Sequence, residues 1–490
     1  MYDKLILLSP DDFIKGKQEY MKTLKIKVLS RLVLFLVLIP AALGFFTIDA
    51  AAAPLEQDGP TYIVQEGDTL TSIAVRFGVS SEDIQAANDI SDPNSLQIGQ
   101  QLTIPGLEGI SGLLTSTALP YGTSLRYLSR KYQMDTASLV VLNHLISPSE
   151  TIAGAVFLVS VSDNQENLSP LISIEKGMTP LEAAVQASTS TWKLVEDNRL
   201  AATWDMLSGE MLFGTEDETG ESTVFSDVSE LFVYPLPAVQ GETLEIGISS
   251  AVPAEFSATF NGEKLLFHTD DGENYYSISS IHAMSETGPF PLEITMTLAD
   301  GTTQTFEQMV IVEAGGYGND AVIIVDNIYI DPDTIEAEDA IINEIFSQIT
   351  EERYWEGQFQ YPIDEPCING YFGQRRDYNN GALYYYHTGV DFGVCAQNLN
   401  IYAPAAGKVV FAEGMVIRGN AVLIDHGWGV FSGYWHLSEF NVEVGDFVQA
   451  GDLIGLIGDT GRSLGPHLHF EIDILGTPVN PQTWFSESFP

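Results

Sequence analysis

The chain has 490 residues, with 67 acidic against 21 basic side chains and a formal net charge of −46 at pH 7. Such a field excludes nucleic acid and anionic lipid as partners, keeps the protein soluble and weakens non-specific sticking to polyanions. The acidic excess is heaviest in the middle of the chain, and it says nothing about fold. At the start, Lys22, Lys25, Lys27 and Arg31 precede the apolar run LVLFLVLIPAALGFF, which ends in DAAAAP. That is the order of a secretory signal, expected over residues 1–52 with cleavage near Ala52. Met21 followed by Lys22 reads as a natural start, so residues 1–20 look like an extension. The run is short for a membrane span, and retention as an uncleaved anchor is the alternative and the only route to a membrane partner. The mature chain is therefore expected to be extracytoplasmic, secreted or wall-associated.

A repeat follows. Gly67, Gly122 and Gly177 fall 55 residues apart, as do Asn88, Asn143 and Asn198, and Gly99, Gly154 and Gly209. A fixed period means one folding unit used repeatedly, here over 60–106, 115–160 and 171–214. Each copy predicts a short strand, a glycine turn, two helical stretches split near Val79 or Met134, and a closing strand such as QLTIP. The first copy resembles a LysM module, a small βααβ unit. The second is a recognisable LysM-like copy, and the third is degenerate, with Pro180 where the first has Leu70. The resemblance implies binding of N-acetylglucosamine-containing glycan strands, and hence peptidoglycan as a partner. Its contacts would come from Gly67, Asp68, Thr69 and Leu70 and from the loop at Ile98 and Gly99. Small modules of this kind bind firmly through several weak sites together. The alternative for the later copies is that they are spacers that kept only the fold.

Residues 228–314 change character. TLEIGIS, EFSATF, YYSISSI and PLEITMTL alternate polar and apolar residues, and Asn261-Gly262, Asp271-Gly272 and Asp300-Gly301 separate the runs as hairpin turns. The pattern predicts a β-sandwich of immunoglobulin type. It holds no titratable cluster, and the isolated His268 and His282 read as structural. The stretch DTIEAEDAIINEIFSQITEERYW has helical periodicity, so 315–356 is expected to be a helical linker.

The last domain, 357–490, is expected to be mainly antiparallel β. Four of the chain's eight histidines fall in three short motifs: His387 with Asp391 in YHTGVDFG, His436 in YWHLS, and His467 with His469 in GPHLHFEI. In HLHFEI the apolar Leu468, Phe470 and Ile472 alternate with His467, His469 and Glu471, which is a strand with both imidazoles on one face. HTGVDFG reads the same way, placing His387 and Asp391 on one face of another strand. Imidazole and carboxylate suit a divalent metal, zinc first among them. A catalytic zinc keeps about three protein ligands, so five candidates leave a surplus for proton transfer. Gly445, Gly451, Gly455, Gly458, Gly461 and Gly465 punctuate short apolar runs as turns, and none begins a phosphate loop. The two cysteines, Cys367 and Cys395, flank the first motif. In an oxidising compartment they are expected to pair as a disulfide, with two free buried thiols as the alternative.

From about Phe359 to Pro481 the order NGYFGQRR, HTGVDF, YAPAAGKVVFA, VLIDHGWGVFSGYWHLSE and VEVGDFVQAGDLIGLIGDTGRSLGPHLHFEI resembles the lysostaphin/LytM-type zinc endopeptidases. The resemblance implies that His387, Asp391 and His469 hold one Zn2+ and that His436 and His467 are the catalytic pair. It leaves His426 structural, and the tyrosines Tyr384, Tyr385 and Tyr386 are read chiefly as packing. The whole then reads as a secreted peptidoglycan-binding zinc endopeptidase acting on cross-links or stem peptides of the bacterial wall. The rival reading is a wall-bound adaptor with an idle zinc site that activates another hydrolase.

Overall fold

A computed structural model describes residues 59–162, 168–214, 225 and 227–490. The expected signal segment at 1–52 lies outside the described residues. Among those residues no helix is long and apolar enough to cross a membrane.

The first repeat runs β1 (Thr61–Ile63), α1 (Leu70–Phe77), α2 (Ser81–Ala87) and β2 (Gln101–Thr103). The second is β3 (Leu113–Ala118), α3 (Leu125–Lys131), α4 (Thr136–Leu142) and β4 (Val156–Val161). The third is β5 (Ser169–Ser173), α5 (Pro180–Gln186), α6 (Thr191–Asp197) and β6 (Met211–Gly214). Every helix starts where a side chain can accept from its first turn: Thr69, Ser80, Ser124, Asp135, Thr179 and Ser190 all cap. The recurring asparagine explains itself. Asn88 donates to Ile84 O (2.8 Å) and Thr103 O (2.7 Å) and accepts from Thr103 N (2.7 Å), clamping the second helix to the closing strand. Asn143 does the same with Leu139 and Leu158, and Asn198 with Leu194 and Phe213. The first two repeats share one sheet, ordered β2-β1-β3-β4, and one core, whereas the third has its own.

The next strands are β7 (Val228–Tyr234), β8 (Ala238–Val239), β9 (Thr243–Ser250), β10 (Ala254–Phe260), β11 (Glu263–Leu265), β12 (Asn274–Ser280), β13 (Gly288–Leu298) and β14 (Thr303–Glu313). They form two sheets, β11-β10-β13-β14-β8 and β12-β9-β7, over one core of alternating residues such as Leu244, Ile246, Ile248, Leu292, Ile294 and Met296. At the first hairpin Asn261 and Gly262 both take positive φ (51° and 84°), which is what the Asn-Gly pair permits cheaply.

The expected helical linker is only partly a helix. α7 spans Pro332–Phe346, begun by Asp331 as cap and Pro332 in its first turn. Before it, backbone bonds in parallel register tie 318–323 to the strand at 375–378. After it, Trp355 lies 1% exposed in the C-terminal domain's core, so that domain begins before residue 357. Neither half is a free tether, because apolar residues on both sides of the helix find partners in the folded domain.

That domain contains β15 (Ile368–Gly370), β16 (Arg375–Tyr378), β17 (Leu383–Tyr386), β18 (Val390–Gly393), β19 (Asn400–Tyr402), β20 (Gly407–Gly414), β21 (Asn420–Gly427) and β22 (Val430–Leu437). It continues through β23 (Glu439–Phe440), β24 (Phe447–Val448), β25 (Leu453–Leu456), β26 (His467–Ile474) and β27 (Thr477–Val479) to α8 (Pro481–Ser486). The main sheet is ordered β15-β18-β26-β22-β21-β20-β24, with β27 beside β26. Along β26, Leu468, Phe470, Ile472 and Ile474 are fully buried in the core, which turns His467, His469, Glu471 and Asp473 to the other face. Cys367 and Cys395 are joined as a disulfide with Cα atoms 6.2 Å apart.

Candidate active site

Three neighbouring strands carry the site. Asp391 on β18 lies directly across from His469 on β26, and Trp435 on β22 lies across from His469 on the other side. His387 is not in a strand with Asp391, as its motif suggested. The chain leaves β17 at Tyr386 and enters the main sheet only at Val390. The crossing requires Gly389, where a Cβ would meet Phe470 O at 2.2 Å. His387 still reaches its partner, with Nε2 at 2.9 Å from Asp391 Oδ1. His436 also departs from simple alternation. Tyr434 points into the core, and a period of two would send His436 after it. A left-handed backbone (φ 68°) instead lays its ring 4.9 Å from His467 and 6.2 Å from His469.

The outer nitrogens of the rings decide what faces inward. His387 Nδ1 lies 2.8 Å from Tyr371 O, and His469 Nε2 lies 2.9 Å from Glu471 Oε1. Both partners only accept, so those nitrogens carry the hydrogens, and a neutral ring turns a bare lone pair the other way. His387 Nε2 and His469 Nδ1 are 2.9 Å apart, and His469 Nδ1 is 2.8 Å from Asp391 Oδ1. Two lone pairs and a carboxylate oxygen thus converge, all within 4.8 Å of one another. Such a set repels itself unless a cation or a proton sits among it, and it fits a divalent metal ion. The same logic applies to the flanking pair. His436 Nδ1 faces Thr460 O (2.7 Å) and His467 Nδ1 faces Gly465 O (2.8 Å), which leaves Nε2 of each ring free to take a proton.

Burial lowers the pKa of His387, and burial with repulsion from His467 and His469 lowers that of His436 to about 3. Both rings are therefore neutral near pH 7. Burial works to raise Asp391, but His387 and His469 hold it well below the usual carboxylate range. Burial works to lower His469, but the hydrogen bonds and charges of Asp391 and Glu471 outweigh it and raise it.

Residues 385–481 match Peptidase family M23, and residues 62–105 match the LysM domain. The C-terminal domain belongs to peptidase family M23. This metallopeptidase domain is similar over 95 residues, at 46% identity, to DD-carboxypeptidase/endopeptidase Mpg of Neisseria meningitidis serogroup B, covering 19% of this chain and 22% of that protein. It is 38% identical over 122 residues to peptidoglycan DD-endopeptidase ShyA of Vibrio cholerae serotype O1, covering 25% of this chain and 28% of that one. Among solved structures, the catalytic domain of lysostaphin from Staphylococcus simulans is 32% identical, covering 27% of this chain and 90% of that chain with a TM-score of 0.20. The chain thus spans about a quarter of the length of these curated relatives.

The M23 site uses residues that motif reading passed over. Arg376 Nη2 donates to Asp391 Oδ2 (2.7 Å), turning Oδ1 to the histidines. Glu471 accepts from His469 and from Thr388 Oγ1. Glu471 was visible as the next same-face residue after His469, and Arg376 as a cation in NGYFGQRR, but neither spacing announces a partner. His426 is buried, bonded to Ala406 O and Ser432 Oγ (both 2.7 Å), and belongs to the core. Of the tyrosines, Tyr385 and Tyr386 line the cleft beside His387, while Tyr384 is largely exposed. His268 and His282 are structural but not isolated: they stack on Trp428 and meet Tyr386, between sandwich and M23 domain.

The cleft is roofed. A cavity of about 300 Å³ beside Asp391, His436 and His467 is closed partly by Ile323 and Val325, and a second beside His387 and His469 partly by Ile335 and Asp339. Glu338 anchors this strap by accepting from Ile417 N (2.8 Å) and Arg418 N (3.2 Å).

The expected glycan face of the LysM domain needs narrowing. Leu70 is 2% exposed in the module core, and Asp68 is spent on Tyr62 OH (2.6 Å) and Arg76 (3.1 Å). Thr69 caps α1 yet stays exposed, so open contact surface is left at Gly67, Thr69, Ile98 and Gly99. In the second repeat the corresponding positions are covered by the sandwich. Gly122 N donates to Gln308 Oε1 (2.6 Å), Gln308 Nε2 to Thr151 O (2.7 Å), and Ala153 pairs with Val310. A Cβ on Gly154 would meet Pro237 Cα at 2.7 Å. In the third repeat the corresponding glycines, Gly177 and Gly209, have open space around them.

Proposed function

We propose that this chain is an extracytoplasmic zinc endopeptidase that hydrolyses peptide cross-links or stem peptides of bacterial peptidoglycan. The observation that carries the reading is the convergence of two imidazole lone pairs and one carboxylate oxygen, with two further imidazole Nε2 atoms beside them. His387, Asp391 and His469 would hold the ion. A bound zinc supplies polarisation of the scissile carbonyl and a water acidified towards a pKa of about 7. His436 and His467 act through Nε2: one accepts the proton of the attacking water, and the pair returns a proton to the leaving amine. Their Nδ1–H bonds to backbone carbonyls hold both rings in the tautomer this needs. Arg376 and Glu471 keep the ligands aimed, and the roof over the cleft limits water around the reacting bond.

The LysM domain would hold the enzyme on glycan strands through Gly67, Thr69, Ile98 and Gly99. The third repeat is the available second contact, and the second repeat serves as a mount rather than a binder. The names of the relatives support a wall substrate, and the disulfide suits an oxidising compartment outside the cytoplasm. The test is to incubate the full chain with purified peptidoglycan, with and without a zinc chelator, and to read released fragments by mass spectrometry. New amino termini that vanish with chelator and in His467→Ala support the reading. A folded, zinc-loaded chain that releases nothing would overturn it in favour of an adaptor.

A further inference from the structure

The two cavities at the metal-ligand residues are lined by Arg376, Arg418 and Arg462. In a chain with only 21 basic residues against 67 acidic ones, three guanidiniums at one cleft is a concentration that chance placement does not favour. Arg418 is spoken for, because it meets Glu338 and Asp339 on α7. The other two differ. Arg462 lies over the rings of Tyr378 and Tyr385 at 4.7 and 5.8 Å and reaches only the backbone oxygen of Tyr329 (3.3 Å). Among the described residues it meets no carboxylate. Arg376 gives Nη2 to Asp391 but turns Nε outward to Asp320 Oδ2 (3.0 Å), a carboxylate that belongs to the strap and not to the M23 domain. Both arginines line the 300 Å³ cavity that also holds His436 and His467.

We propose that Arg376 and Arg462 form a carboxylate-recognising subsite of the cleft, that Asp320 of the strap engages only the Arg376 Nε side of it from outside the cavity, and that a free carboxylate of the peptide substrate enters the cavity and draws Arg376 away from Asp320. The chemistry is specific to that group. A guanidinium presents planar paired donors that match a carboxylate, and such charge-assisted bonds are about twice as strong as neutral ones. The position also fits, since the subsite shares its cavity with both proton-transferring histidines and so would orient the bond beside them. Asp320 is held by backbone pairing of its segment with β16, so it competes at high effective concentration, and its removal should be felt most by a substrate that brings its own carboxylate.

This inference rests on the endopeptidase reading for its substrate, and the experiment separates the two. Cross-linked peptide dimers released from peptidoglycan are used as isolated, or with their carboxylates converted to amides. The zinc-loaded full chain, Arg462→Gln and Asp320→Asn are compared by kcat/KM on each. The unsubstituted chain should favour the free carboxylates about tenfold, Arg462→Gln should lose that preference by slowing only on the free form, and Asp320→Asn should gain only on the free form. Equal changes on both forms would mean a gate without carboxylate recognition and would overturn the proposal, as would no change. If the unsubstituted chain cuts neither form, the endopeptidase reading fails, and equilibrium binding of the same two dimers decides this proposal. Tighter binding of the free form that is lost in Arg462→Gln sustains it, and equal binding or none ends it.

Discussion

At the residue scale, the site separates holding from proton transfer. His436 and His467 keep their Nδ1 atoms on backbone carbonyls, and their Nε2 atoms stand beside the converging set and not within it, that of His467 lying 3.7 Å from Asp391 Oδ1. His436→Ala and His467→Ala should therefore retain bound zinc, measured by metal analysis of the dialysed protein, while losing about 10²- to 10⁴-fold in peptidoglycan cleavage. Loss of metal in either variant would show that the assignment of ligands is mistaken. Glu471 acts one step back from the ion, by keeping the hydrogen on His469 Nε2. Glu471→Gln should weaken zinc about 10- to 100-fold in competition with a chelator, because an amide oxygen polarises the imidazole less than a carboxylate. Unchanged affinity would reduce Glu471 to a packing residue.

At the element scale, one repeat has been put to two uses. The same turn and loop that stand open in the first copy are covered in the second by β14 and the segment before β8. Gln308 is the hinge pin of that contact, with its amide bonded on both sides to the repeat's backbone. Gln308→Ala leaves those buried groups unpaired and should cost about 1–3 kcal/mol of docking. Hydrogen exchange would read it as faster exchange at Ala153 and Ile311, whose amides pair across the junction, with the helices of the repeat unaffected. Exchange that rises equally throughout the repeat would mean that the contact holds the module folded and is more than a mount. The strap is the other element with two duties. Its apolar residues partly cover the cavities while Glu338 and Asp339 tie it to Ile417 and Arg418, so its position is set by specific bonds.

At the scale of the whole molecule, the sandwich and the M23 domain share a core. Ile278 and Ala283 of the sandwich belong to the same buried cluster as Phe392 and Phe470, and Trp484 Nε1 donates to Thr243 Oγ1 (2.9 Å). Glu245 on β9 lies in this junction, where burial, aided by the charge of Glu487, raises its carboxyl to about 7. The unfolded value is about 4.3, so the folded state binds this proton more tightly. The group's contribution to stability is then full below about pH 4 and is lost as pH rises through about 7. Glu245→Gln should leave the Tm near its original value at pH 4 and raise it by several degrees at pH 8, as followed by scanning calorimetry. An equal rise at both pH values would contradict a buried carboxyl as the cause.

Much of this was legible in the chain. The 55-residue period marked the βααβ units because the caps, the turn glycines and the clamping asparagines are local requirements of each copy. The alternation in HLHFEI placed His467 and His469 because a strand's period is fixed by its backbone. The same rule failed at HTGVDFG, and the backbone departs from it again at His436, for which the sequence offered no reading of a strand face. In one the chain changes sheets across Gly389, and in the other a left-handed residue breaks the alternation. Composition and motif thus determined the kinds of unit, the metal-binding residue types and the acidic character. Only the tertiary structure decided that the linker roofs the cleft, that the second repeat is covered, and that Asp320 reaches Arg376. Those facts depend on contacts between residues far apart in the chain, whose energies come from burial and pairing in space, and no local pattern records them.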